Sequence, residues 1–111
     1  MTPLDLAAMQ ENAGRAERLL SLLANQHRLL IMCQLVENEL NVGQLQEKSG
    51  LSQSALSQHL AKLRSAGLVN ARRDARTIYY SIASAEAKKV LDTLYEIYCA
   101  PDGPASSASK E

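Results

Sequence analysis

The most reactive side chains in this 111-residue sequence are two thiols, Cys33 in "IMCQLV" and Cys99 in "EIYCAP". A thiolate is a nucleophile, a metal ligand and a target of oxidation. The two lie far apart in sequence and neither belongs to a CxxC, so they do not supply a four-ligand zinc site. A permanent structural disulfide is not expected in a reducing compartment. Cys99 is the odder of the pair. It ends the apolar stretch "TLYEIYC" just before Pro101 and Gly103 break the chain. On residue types alone, a small hydrophobe at a helix end and a sensor thiol both satisfy that position, and Cys33 reads equally as a small apolar residue on or beside a buried stripe.

A second set of chemically apt residues lies in "LSQSALSQHLAKLRSAGLV". Leu56, Leu60 and Leu63 recur at i, i+4 and i+7, which predicts a helix with these three facing inward. Gln53, Ser54, Ser57, Gln58, His59, Lys62 and Arg64 are then left outside. Gln makes paired hydrogen bonds to an adenine edge, and Ser bonds either base type or phosphate. Lys62 and Arg64, followed by Arg72, Arg73 and Arg76, would neutralise backbone phosphates. Between residues 62 and 76 these five cations face only Asp74, although the formal net charge of the whole chain is zero. Affinity for nucleic acid is therefore a local property of one basic edge.

These residues need elements to position them. A long first helix is predicted over residues 2–23, with Thr2 as N-cap and Pro3 in the first turn. Asn25 caps a second helix over 26–37, whose apolar positions are Leu29, Leu30, Met32, Cys33 and Val36. Asn41 with Gln44 forms a capping box for a short third helix, which Gly50 ends. Ser52 caps the fourth, about 53–66, and Gly67 ends it. The short Gly-containing turn between them is that of a helix-turn-helix. Two strands, 68–72 and 77–82, form a hairpin whose connection "RDAR" lacks Gly, leaving its turn type open. Ser84 caps a fifth helix over 85–99. The predicted class is mainly α with a β-hairpin wing: four helices, two strands and a last helix, the order of a winged helix-turn-helix. Residues 1–99 form one DNA-binding and dimerisation domain, and the small, polar tail 100–111 is expected to be disordered.

A homodimer is expected from the two terminal helices. Val90, Leu94 and Ile97 form one apolar stripe on the last helix, and Leu91, Tyr95 and Tyr98 form another beside it. The first helix is also broadly apolar, so Leu4, Leu19, Leu20, Leu91, Leu94, Tyr95 and Tyr98 are the candidate dimer contacts. No apolar run approaches the roughly 20 residues of a membrane span, and no secretory signal pattern opens the sequence, so a cytoplasmic protein without membrane contact is expected. No nucleophile–base pair, Gly-rich loop or metal cluster is visible, which argues against an enzyme and against a cofactor.

The stretch from "LANQHRLLIMCQLV" through "SQSALSQHLAKLRSAGLV" to "RRDARTIYYSI" resembles the ArsR/SmtB family of dimeric, ligand-responsive bacterial repressors, over about residues 15–99. The resemblance implies operator DNA, an inverted repeat, as partner. It places groove contacts at Gln53, Ser54, Ser57, Gln58 and His59, and wing contacts at Arg72, Arg73 and Arg76. Arsenite and cadmium sensors of this family carry Cys-x-Cys within the segment matching "ELNVGQL", where this chain has Asn41 and Gly43. Zinc and nickel sensors place His and carboxylates on the last helix, and here "AEAKKVLDTLYEIYC" has no His. The positions of Cys33 and Cys99 instead resemble those of the persulfide- and redox-responsive branch. That branch implies that reactive sulfur species link the two sulfurs by a disulfide or a longer polysulfide bridge and so release DNA. Cys99 lies at the wrong end of the helix dipole for acidification, and a basic neighbour such as Arg28 would have to compensate. A metal-responsive repressor using both thiols, a regulator or anti-repressor with passive cysteines, and an interaction module that does not read DNA are the alternatives.

Overall fold

A computed structural model describes residues 5–99. Helix α1 (Leu6–Leu23) starts at Asp5, whose carboxylate accepts from the Ala8 amide at 3.2 Å. The predicted cap Thr2, with Pro3, lies outside the described residues, and Asp5 takes its role because its oxygens satisfy an orphan amide of the first turn. Helix α2 (Gln26–Gln34) is capped by Asn25, Oδ1 to the Arg28 amide 3.0 Å. It stops short of residue 37 because its last turn tightens: the Leu35 amide bonds Met32 O at 3.0 Å and that of Val36 bonds Cys33 O at 3.3 Å.

Strand β1 (Leu40–Asn41) was not expected; it leads directly into α3 (Val42–Ser49). The capping box is present in both directions, Gln44 N to Asn41 Oδ1 and Asn41 N to Gln44 Oε1, each 2.9 Å. Gly50 then turns the chain at φ 73°, a left-handed conformation that costs glycine little. Ser52 caps α4 (Gln53–Ser65) through its hydroxyl, 3.1 Å from the Ala55 amide. Strands β2 (Val69–Asp74) and β3 (Thr77–Ile82) form the hairpin, from Val69 opposite Ile82 to Asp74 opposite Thr77. Its two-residue turn puts Ala75 at φ 57°, a position that favours glycine. β1 pairs with the other edge of β3, Leu40 opposite Tyr80 and Asn41 opposite Tyr79, giving the antiparallel order β1-β3-β2. Ser84 caps α5 (Ala85–Tyr98), and Cys99 is its C-terminal cap.

The core gathers where α2, α3 and α4 meet the sheet and the first half of α5. Ile31, Met32, Leu45, Leu56, Leu63 and Ala87 are fully enclosed, joined by Leu23, Leu35, Leu60, Leu68, Val69 and Leu91. Each large side chain buried this way stabilises the fold by about 1.5–3 kcal/mol. The inward leucines of α4 are as expected. On α2 the buried face is Ile31, Met32 and Leu35, displaced from the expected stripe, and Leu30 and Cys33 lie one turn apart on the outward side. The tail from residue 100 onward lies outside the described residues.

Candidate DNA-reading face and thiol pair

Helix α4 is held from behind by Leu56, Leu60 and Leu63, and its opposite side carries short polar groups. Gln53, Ser54, Ser57 and Gln58 are exposed along its first turns, and Lys62 and Arg64 follow in its last. That is a helix able to approach a groove floor with hydrogen-bonding groups first and cations behind. His59 departs from this face. It is half-buried on the flank of α4, its ring 5.8 Å from that of His27 at the start of α2. Burial, then the positive charges of Arg28, His27 and Lys62, hold its pKa below the usual histidine value.

The wing also separates its arginines. Arg72 is not a free cation. Its Nε and Nη2 donate to the Glu39 carboxylate at 3.0 and 2.7 Å, a bidentate pair. Its guanidinium carbon sits 4.9 Å over the ring of Tyr79, its partner across the hairpin, and Asp74 is 3.9 Å away. The Glu39 bond raises the Arg72 pKa, and the same bond lowers that of Glu39. Arg72 therefore ties the wing to the segment ahead of β1. Among the described residues, Arg73, Arg76, Lys62 and Arg64 form no ion pair and remain available to phosphate. Glu39 gave no signal in sequence, since its pairing depends on how the hairpin folds back over 33 positions.

Cys33 and Cys99 are both free and exposed. Cys33 is thus no core filler, although its sulfur is partly screened from water. This partial burial raises its pKa, and the negative charge of a Cys99 thiolate raises it further. The second influence couples the end of α5 electrostatically to α2. Arg28 does not act as the compensating cation for this pair: its Nε donates to Leu22 O at 2.7 Å, and its charge acts on His59. Among the described residues, no group of three or more His, Cys, Asp or Glu side chains converges as a metal site would require. Asn41 is engaged in its capping box.

The terminal helices leave apolar surface uncovered. On α5, Tyr95, Ile97 and Tyr98 are exposed, and on α1 so are Leu6, Met9 and Leu20. Leu19 and Leu94 are half-buried, and Leu4 lies outside the described residues. Leu91 belongs elsewhere: only 2% exposed, it packs into the protomer's own core and does not reach a partner. The same holds for Ala87 one turn before it.

A model of the family described as bacterial regulatory protein, arsR family, matches residues 18–71. Transcriptional activator HlyU of Vibrio cholerae is 48% identical over 97 residues, covering 87% of this chain and 90% of that protein. The solved structure of reduced HlyU superposes with a TM-score of 0.80, over 84% of this chain and 98% of that one. The structure of the transcriptional repressor BigR from Xylella fastidiosa reaches 0.82 at 37% identity, over 87% of this chain and 99% of its own. A homodimeric winged helix-turn-helix DNA-binding domain from Mycobacterium bovis, described as a possible ArsR-family regulator, gives 0.66 at 29% identity, over 85% and 86% of the two chains.

Proposed function

Because the chain belongs to the arsR family of bacterial regulatory proteins, and is a transcriptional regulator with a winged helix-turn-helix fold, we propose that it acts in the cytoplasm as a homodimeric repressor. Linking Cys33 to Cys99 releases its operator. The observation that carries this reading is the thiol pair: two exposed, free sulfurs, with the charge of Cys99 raising the pKa of Cys33. The exposed apolar residues of α1 and α5 supply the dimer face, and the M. bovis relative is described as homodimeric.

Cys99 caps the exposed end of α5, and the reaction starts there. Its thiolate attacks the sulfane sulfur of a low-molecular-weight persulfide, RSSH, and a thiol, RSH, leaves. Attack by Cys33 on the inner sulfur of the resulting Cys99 persulfide forms a disulfide and expels hydrogen sulfide. Two protein thiols are oxidised and one sulfane sulfur is reduced. When both cysteines are persulfidated, the same attack by the Cys33 persulfide leaves a three-sulfur bridge and again expels hydrogen sulfide. A direct disulfide needs Cα atoms within about 7 Å, and an added sulfur spans more. Either bridge fastens the end of α5 to α2, which packs against the reading helix α4. Two reading helices of a dimer must match half-sites about 34 Å apart, so a small displacement costs affinity.

Whether occupancy represses or activates a gene depends on what the operator overlaps. HlyU is named an activator and BigR a repressor. A regulator that blocks polymerase represses, and one that displaces another repressor activates.

The test is a gel shift with DNA from upstream of the protein's own gene, before and after persulfide treatment, with mass spectrometry of the released protein. Salt-sensitive binding by the reduced dimer and a Cys33–Cys99 link in the released form are expected. Cys33→Ser and Cys99→Ser should bind normally and resist release. Release by zinc or arsenite, with none by persulfide, would replace this reading with a metal-responsive one.

A further inference from the structure

Three basic groups gather around His59, with no described carboxylate acting on it. His27 and Arg28 open α2, and His59 and Lys62 lie one turn apart on α4. The two rings are 5.8 Å apart and tilted by 36°. The charges acting on His59 come from Arg28 and His27 on α2 and from Lys62 on its own helix, and no described carboxylate is among them. Asn25 caps α2 at this spot, so the positive end of that helix points the same way. Neighbouring like charges are costly when all are ionised. A doubly or singly charged phosphate oxygen group is the ligand that relieves that cost.

We propose that His27, Arg28, His59 and Lys62 form a second phosphate-binding site, flanking the reading helix, which holds the DNA backbone and takes up protons as it does so. The proposal rests on the DNA-binding reading and adds to it a pH-linked anchor separate from the base-reading face. In free protein burial and the neighbouring cations favour the neutral form of His59. A phosphate placed among the four groups favours the charged form of His59, so its pKa rises on binding. The sign follows from linkage. Affinity gains nothing well above the bound-state pKa, rises as pH falls through it, and levels off below the free-state value. One unit of pKa rise is about a tenfold gain, since a unit corresponds to 1.36 kcal/mol. The chain has only two histidines, His27 and His59.

The experiment uses the full reduced chain and a 30-base-pair duplex of arbitrary sequence at low salt, because a phosphate contact does not read bases. Anisotropy titrations at pH 8.0, 7.0 and 6.0 should show affinity rising by roughly tenfold or more toward low pH for a one-unit shift. His59→Gln should flatten that dependence, whatever its effect on affinity at pH 8.0. Imidazole resonances followed by NMR should report a His59 pKa that rises when duplex is added. Binding that is unaffected by pH, with imidazole titrations unmoved by duplex, would overturn the proposal and leave the DNA reading intact. Failure to bind duplex at any pH would overturn both.

Discussion

Arg72 and Arg73 are neighbours in sequence on the same wing, yet they sit in different surroundings, and salt should separate them. Arg73 is exposed and unpaired among the described residues, whereas both forks of Arg72 are committed to Glu39. Each phosphate neutralised contributes about 0.9 to the slope of log affinity against log salt. A dimer presents Arg73 twice, so Arg73→Gln should lower the slope by about 1.8. Between 50 and 200 mM salt, the wild type should then lose about tenfold more affinity than the variant. The paired replacement of Glu39 and Arg72 by Gln removes two charges of opposite sign. It should loosen the wing and weaken binding at every salt concentration, with the slope unchanged. Fluorescence anisotropy on an operator duplex from 50 to 300 mM salt measures both. If the double variant flattens the slope as much as Arg73→Gln does, Arg72 reaches phosphate and the clamp is not its role.

The other perturbations address the switch, the dimer and the core. Alkylation of Cys33 by iodoacetamide, read by mass spectrometry, should speed up with pH through and beyond neutrality, because its raised pKa leaves little thiolate at pH 7. Cys99→Ser should accelerate it at pH 8 by removing a negative neighbour, and a rate already at its plateau at pH 7 would contradict this. Tyr95→Glu with Tyr98→Glu places charge on the exposed face of α5 and should yield monomers in analytical ultracentrifugation, with operator binding lost. Leu91→Ala should instead lower stability by about 3 kcal/mol in urea titrations at fixed protomer concentration, the usual cost of emptying a closed leucine site. Dissociation without that loss would return Leu91 to the interface.

What could be read from sequence was whatever local rules decide. The caps at Asn25, Asn41, Ser52 and Ser84, the glycine turn and the inward leucines of α4 all follow from hydrogen bonds and periodicity within a few residues. Errors arose where a distant element decides. Leu91 and Tyr95 share a stripe, but only packing against the sheet and core determines that the first is covered and the second left bare. Cys33 looked apolar by spacing, and α2 proved to be rotated so that Ile31, Met32 and Leu35 take the inside. Arg72 counted as one of several wing cations until the hairpin register set it over Tyr79 and against Glu39. His59 lies on the reading helix in sequence, yet the approach of α2 turns it toward His27.

The two-residue strand β1 has a mechanical meaning. Asn41 is at once a ladder residue opposite Tyr79 and the residue that caps α3, while Tyr79 lies beneath the Arg72 guanidinium that grips Glu39. Hairpin and helix-turn-helix are thereby riveted together at three successive points, with no slack segment between them. A wing fastened this way does not flap independently. On the proposed reading, a signal from the thiols would then move each reading head as a unit.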